Sequence, residues 1–378
     1  MATVGIICEY NPLHKGHAKQ LNAVRCAGAD GIVCLMSGNF VQRGAPAIIE
    51  KSLRAKAAVL SGADLVLELP VTAALSSAEG FAAGGVGILG TFCDQLCFGA
   101  ETADPDVLRS TAGALLSDAF PPALRAELDK GLSFPAARAA ALNAMGFDGD
   151  ILSTPNNILA VEYCKAILRS GCAMKPMPIH RGGCYHDTEV DAENPSATAV
   201  RHQMLNMHDW KSCITTQAQE VFDGAVLHNL TAGERAILGR LRTMTEAEFE
   251  ALPYGSEGLW RKLMHAARQQ PTLEAVATAV KSKRYTRTRI DRMILCAFLR
   301  LTAADLDAPP PYARVLAFND KGREILKKAR ISGTFPNIGE KIDHPYQAIE
   351  SRTDDLYGLF AVGAPEPPDK KQRVYYLR

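Results

Sequence analysis

Two histidines, His14 and His17, are separated by two residues, one of them Gly16, where a short apolar run, Val4 to Cys8, gives way to a helical pattern. Imidazoles at the start of a helix suit phosphate handling. The glycine lets backbone come close to a ligand, and the helix amino terminus attracts negative charge. The rings can donate hydrogen bonds to phosphate oxygens as charge builds in an in-line displacement. Taken as a bare string, the pair is as readily two surface histidines opening a helix; its place directly after the first strand favours phosphate. A second constellation, Ser196, Thr198 and Arg201 in SATAVR, also opens a helical pattern. Ser196 is a natural cap, and the hydroxyls, backbone amides and guanidinium make a second anion cradle. Alone, it would read as a plain helix cap with a surface arginine.

The elements around these residues explain how they could meet. Val4 to Cys8, Gly31 to Met36, Leu65 to Leu69 and Gln95 to Phe98 read as buried strands. They alternate with helical patterns at Gly16 to Cys26, Glu50 to Leu60 and Ser77 to Thr91. Such alternation predicts an α/β fold with a doubly wound parallel sheet, whose ligands bind beyond the carboxyl ends of the strands. From Asp104 the pattern turns helical, in runs punctuated by Pro and Gly, before a further strand at Lys175 to His180. Past Asp209 it is helical again up to a proline-rich break at Ala308 to Pro311, and a last α/β segment follows. The expected organisation is a core over 1–205 with a helical insertion over 104–173, a helical region over 206–308, and a small α/β segment over 309–378.

Composition bounds what the chain can be. Its 378 residues are 47% hydrophobic and 22% charged, a globular mix long enough for two or three domains. Forty-two basic residues against 41 acidic ones give a net charge of +1, which excludes a chain that is basic throughout but not a local patch. One such patch is KSKRYTRTRIDR, where Lys281, Lys283, Arg284, Arg287, Arg289 and Arg292 are opposed by Asp291 alone. The ten cysteines form no CxxC pair, and several lie inside apolar runs, so reduced thiols are expected. Glu9 interrupts the first apolar stretch, and no run reaches the length of a membrane span, so a cytoplasmic protein with no membrane partner is expected. GVGILG at Gly85 to Gly90 lies within a helical run and reads as close helix packing. His180, Cys184, His186 and Asp187 match no standard zinc spacing, so no metal-ligand set is assigned.

EYNPLHKGH, MSGNFVQRGAPAIIEK, DLVLELP, LCFGAE, PNNILAVEY, YHD and SATAVR occur in this order between Val4 and Arg201. In this they resemble the bacterial tRNA(Met) cytidine acetate ligase family, within the nucleotidyltransferase superfamily that carries HxGH and ISSxxR-like motifs. A weaker likeness continues through KSKRYTRTRIDRM and ARVLAFNDKGREIL. Leu13 and Lys15 stand where Phe and Asn are usual, and Cys184 where Gly is usual.

The resemblance implies a Rossmann-like nucleotidyltransferase core that forms acetyl-adenylate from acetate and ATP, with magnesium. The acetyl group would then pass to the wobble cytidine of elongator tRNA(Met), giving N-acetylcytidine. It places His14 and His17 on the phosphates as catalytic groups. ATP would lie against Ile7, Cys8, Glu9, Tyr10, Asn11, Pro12, Lys15, Gly16, Gln20, Gly99, Asn157, Arg181, Ser196, Thr198 and Arg201. The loop from Ser37 to Gly44 could position acetate or the cytidine through Ser37, Asn39 and Arg43, although Arg43 could equally be a surface ion-pair residue. A charge run is ordinarily a solvated face, but beside such a core the Lys281–Arg292 segment reads as a tRNA contact, with Tyr285 interposed for stacking. An alternative is a nucleotidyltransferase that adenylates a small phosphorylated metabolite.

Overall fold

The computed structural model describes residues 2–181, 191, 194–282, 284–367 and 372–378. Its centre is a seven-stranded sheet. Four strands with buried apolar runs form its first half: β1 (Ala2–Cys8), β2 (Ala29–Ser37), β5 (Leu65–Leu69) and β6 (Gln95–Ala100). β7 (Lys175–His180), β8 (Arg314–Asn319) and β9 (Tyr375–Leu377) complete it, in the order β7-β6-β1-β2-β5-β8-β9. β7, β6, β1, β2 and β5 run parallel, and β8 joins β5 antiparallel. Two short strands, β3 (Phe40–Val41) and β4 (Ala45–Pro46), make a hairpin above the sheet.

β2 shows why the parallel strands are continuous apolar runs. Val33 and Leu35 face one core, and Ile32, Cys34 and Met36 face the other. Helices α1 (Lys15–Cys26) and α2 (Lys51–Leu60) cover the second face; after α3 (Val71–Ala74), α4 (Ala78–Leu89) covers the first. A methyl on Gly85 of α4 would lie 2.4 Å from Ile7 Cδ1, so the first glycine of GVGILG serves close packing against β1, while Gly87 faces open space. The insertion is helical: α5 (Pro105–Leu116), α6 (Phe120–Asp129), α7 (Phe134–Ala144) and α8 (Pro155–Ser170).

After β7 come α9 (Ala197–Leu205) and α10 (Thr216–Phe222). The helical region then comprises α11 (Glu234–Thr243), α12 (Glu246–Glu250), α13 (Leu259–Gln269), α14 (Leu273–Val280), α15 (Arg287–Leu299) and α16 (Ala303–Asp307). It has its own core, into which Phe40 and Leu75 of the first region and Tyr357 and Phe360 of the last also pack. The last segment supplies β8, α17 (Asp320–Ala329), α18 (Tyr346–Tyr357) and β9. Its strands β8 and β9 belong to the main sheet. Val315 and Ala317 face opposite cores of the main sheet, so β8 is a sheet strand buried on both sides.

Candidate active site

The chain leaves β1, builds β2 and β5 on one side of it, and returns to build β6 and β7 on the other. That reversal opens a crevice between the carboxyl ends of β1 and β6, the position where such sheets bind ligands. His14 caps α1 at the β1 side of it, and its backbone N–H donates to His17 Nδ1 at 3.3 Å. The two rings stack with centroids 3.7 Å apart, and the Tyr10 ring lies 5.0 Å from His17. Tyr10 holds a left-handed backbone conformation, φ 42°, which turns the chain sharply out of the strand.

His14 is buried, and neither of its ring nitrogens has a hydrogen-bond partner among the described residues. Burial, then Arg181 and Arg201, pulls its pKa down to about 3. Burial, then His14 and Arg181, holds His17 well below the ordinary imidazole range. Both rings are therefore neutral near pH 7, each with an N–H to donate. The same electrostatics place Arg181 and Arg201 around the histidines.

Arg201 on α9 donates to Asn11 O at 2.7 Å and to Thr198 Oγ1 at 3.1 Å. Ser196 caps α9 by accepting the Ala199 N–H at 3.0 Å. The SATAVR cradle thus meets the turn after β1. Across the crevice, a methyl on Gly99 of β6 would lie 3.3 Å from Arg181 Cδ, so this arginine lies against bare backbone. The structure brings His14, His17, Gly99, Arg181, Ser196, Thr198 and Arg201 to one place.

Other residues named from the sequence have structural partners. Asn11 Oδ1 accepts the Ile48 N–H at 2.7 Å, and Ile7 and Tyr10 are buried in the cores. Burial, aided by Cys34, holds the Cys8 thiol well above its usual range, so it stays protonated. Gln20 donates to Cys97 Sγ at 3.6 Å. Asn157 ties down the loop after β6, accepting from Thr102 N at 2.9 Å and donating to Thr102 Oγ1 at 3.1 Å. Cys184, His186 and Asp187 lie outside the described residues.

The loop after β2 rests on residues that sequence reasoning did not single out. Arg54 of α2 is fully buried and donates to Ile49 O at 2.7 Å, Glu9 O at 2.6 Å, Ser37 O at 3.1 Å and Gly38 O. It clamps the ends of β1 and β2 together. Lys51, also buried, bonds to Glu68 Oε1 at 3.0 Å and Asp354 Oδ2 at 2.7 Å. Burial works against the Lys51 charge, but Asp354 and Glu68 outweigh it and hold its pKa above the usual range. Burial, opposed by Lys51, pushes the Glu68 carboxyl up to about 7. Asn39 joins this cluster, accepting from Lys51 N at 2.9 Å and donating to Asp354 Oδ1 at 3.2 Å. The Ser37 hydroxyl is buried with no partner among the described residues. The available signal was a Glu inside the apolar run DLVLELP, and Lys and Arg among the alanines of α2.

The family model for the HIGH nucleotidyl transferases matches residues 1–372. A tRNA(Met) cytidine acetate ligase of Clostridium novyi is 37% identical over 356 residues, covering 89% of each chain. One from Acetivibrio thermocellus is 35% identical over 364 residues, covering 89% of this chain and 88% of that one. The crystal structure of apo Thermotoga maritima TmcAL has a TM-score of 0.91 and 30% identity over the whole of both chains. The same protein bound with alpha-thio ATP gives 0.87 and 29%. The chain belongs to the tRNA(Met) cytidine acetate ligase family.

The segment resembling this family's basic stretch is more tightly held than the sequence suggests. Arg287 bonds to Glu274 at 2.7 and 2.8 Å and to Asp291 at 2.8 Å, and Arg284 pairs with Glu257 at 2.6 Å. Arg289 donates to Tyr254 O at 2.7 Å and Ser256 Oγ at 3.0 Å. Lys281 is exposed, and Lys283 lies outside the described residues. Tyr285 does not stand ready for stacking. It is buried in the helical core, with its hydroxyl donating to Glu257 O at 3.1 Å, because the ring has apolar neighbours on that side.

Proposed function

We propose that the chain is an ATP-dependent ligase of the cytoplasm that acetylates the wobble cytidine of elongator tRNA(Met). The observation that supports this most directly is the convergence of two neutral, stacked histidines with Arg181 and Arg201 at the β1–β6 crevice. In the first step an acetate oxygen attacks the α-phosphorus of ATP, the bond to pyrophosphate breaks, and acetyl-adenylate forms. The arginines balance the phosphate charge, and the imidazoles donate to oxygens that gain charge in the transition state. In the second step the cytidine N4 attacks the acetyl carbonyl carbon. The bond to AMP breaks, and the amine gives up a proton. The mixed anhydride supplies the leaving group, so no enzyme nucleophile is required, consistent with the protonated Cys8.

Among the described residues no group of three or more His, Cys, Asp or Glu side chains could hold a metal ion. Magnesium at a nucleotide is held chiefly by the phosphates and water, with at most one or two protein carboxylates, so in this reading it enters as the counter-ion of the triphosphate substrate. In this reading the 1–205 core activates acetate, and Ser37, Asn39 and Arg43 border the acetate or cytidine subsite. The 206–308 region takes the RNA, with Lys281, Arg284, Arg287 and Arg289 on its basic side.

The test is incubation of the purified protein with bulk tRNA, ATP, magnesium and labelled acetate. Label is expected on tRNA as N-acetylcytidine, and His17→Ala should abolish it. Absence of label from tRNA would sink the reading. Pyrophosphate exchange into ATP that needs a phosphorylated metabolite in place of acetate would establish the alternative.

A further inference from the structure

Arg292 is the member of the basic segment whose surroundings least suit a phosphate contact. Its guanidinium lies 5.0 Å from the centroid of the Tyr254 ring, and its Nε is buried without a partner among the described residues. Its Nη1 donates to Gln42 O at 3.3 Å, in the hairpin between β3 and β4. The Gln42 N–H in turn donates to Glu9 Oε1 at 2.8 Å, on the first residue beyond β1. A chain of contacts therefore runs from α15, through one hairpin residue, to the strand end that carries the histidine turn.

Two further observations fix the hairpin against α15. Gly44 has φ 79°, and a methyl there would lie 2.4 Å from Arg292 N and 2.5 Å from Asp291 C. The hairpin tip thus lies backbone to backbone on the helix, with no space for a side chain. Tyr254 braces the other side, with its hydroxyl donating to Leu75 O at 2.7 Å. Arg43 sits between Gln42 and Gly44, the two residues held in this way.

We propose that Arg292 is a positioning residue for acetate activation: it anchors the 40–46 hairpin, and through Gln42 and Glu9 the end of β1, instead of contacting RNA. This rests on the acetate ligase reading above. Reaching a phosphate would require the guanidinium to leave Gln42 and the tyrosine face. Lysine cannot reproduce the planar, stacked geometry, so Arg292→Lys should restore function only in part.

The experiment compares wild type, Arg292→Lys and Arg292→Met without any RNA. Amide hydrogen exchange over residues 38–46 should quicken in Arg292→Met, while thermal midpoints show that the fold survives. Acetate-dependent pyrophosphate exchange should then show a KM for acetate raised about tenfold with kcat changed much less, the mark of a misplaced binding loop. Unchanged hydrogen exchange in a folded Arg292→Met protein overturns the proposal, whatever the substrate proves to be. Normal RNA-free exchange of pyrophosphate, with a raised KM for tRNA alone, also overturns it and restores Arg292 as an RNA contact. Failure of wild type to use acetate overturns the acetate reading, and the hydrogen-exchange comparison still decides whether Arg292 anchors the hairpin.

Discussion

The His14 and His17 rings stack 3.7 Å apart at an angle of 24°, with Arg181 and Arg201 acting on the first of them. Four groups that would repel one another if all were charged are compatible because the imidazoles give up their protons. A bound triphosphate reverses that balance, since its negative charge favours protonated imidazole. ATP binding is therefore expected to take up protons near pH 7. Titration calorimetry in two buffers of different ionisation enthalpy measures this, and identical heats would refute it.

The same shift links stability to pH. The folded-state pKa of His14, about 3, lies below its ordinary value of 6.5, so between them the unfolded chain binds more protons. Stability should thus be complete above about pH 6.5 and decline as pH falls toward about 3. His14→Asn should flatten that decline. An acid profile identical to wild type would show that His14 is not the group responsible.

Gly16 is the second residue of α1, and a methyl there would stand 3.0 Å from His14 Cε1 and 3.1 Å from Nδ1. Alanine favours the helix by roughly 0.5–1 kcal/mol, yet it must push the His14 ring by a few tenths of an ångström. Gly16→Ala is expected to keep or raise the thermal midpoint while lowering kcat/KM about tenfold. Full activity with the alanine would mean that the ring position does not matter.

Stability should discriminate sharply among the buried charges under the loop after β2. Lys51→Met removes the buried cation that Glu68 and Asp354 share, leaving Asp354 unpaired and Glu68 to take up a proton, and should cost about 3–5 kcal/mol. Glu68→Gln should cost less than about 1 kcal/mol, because burial already favours a neutral Glu68 and its Oε2 has no partner to lose. Arg54→Lys should resemble Lys51→Met, since one ammonium cannot span four carbonyls. Urea unfolding of the three variants gives the order; a Glu68→Gln protein as weak as Lys51→Met would contradict the account.

Those charges also show where sequence reading stops. Strands such as β2 and β5 were legible because burial on both faces leaves continuous apolar runs, and the histidine turn was legible because it follows one directly. Lys51, by contrast, finds Asp354 303 residues away, and no local pattern marks a pair formed only by the finished fold. β8 was visible as the strand ARVLAF, but its antiparallel place beside β5 was not. Tyr285 misled for a related reason: its basic neighbours in sequence point to RNA, while its neighbours in space are the apolar side chains of the helical core.

Arg287 offers a test of the basic segment that works by gain of affinity. Its guanidinium is held by both oxygens of Glu274, at 2.7 and 2.8 Å, and by Asp291. A paired arginine contributes little to counterion release, because its charge is already balanced by the protein. Glu274→Gln leaves a polar acceptor of similar shape but removes the competing charge. If the 206–308 region carries the tRNA, this variant should bind RNA more tightly, and its log K against log salt should steepen by about one unit. Thermal stability should barely change, since Glu274 is an exposed partner and such pairs contribute less than about 1 kcal/mol. RNA affinity and salt slope equal to wild type would remove Arg287 from the RNA-facing surface and leave its ion pairs as a brace between α14 and α15.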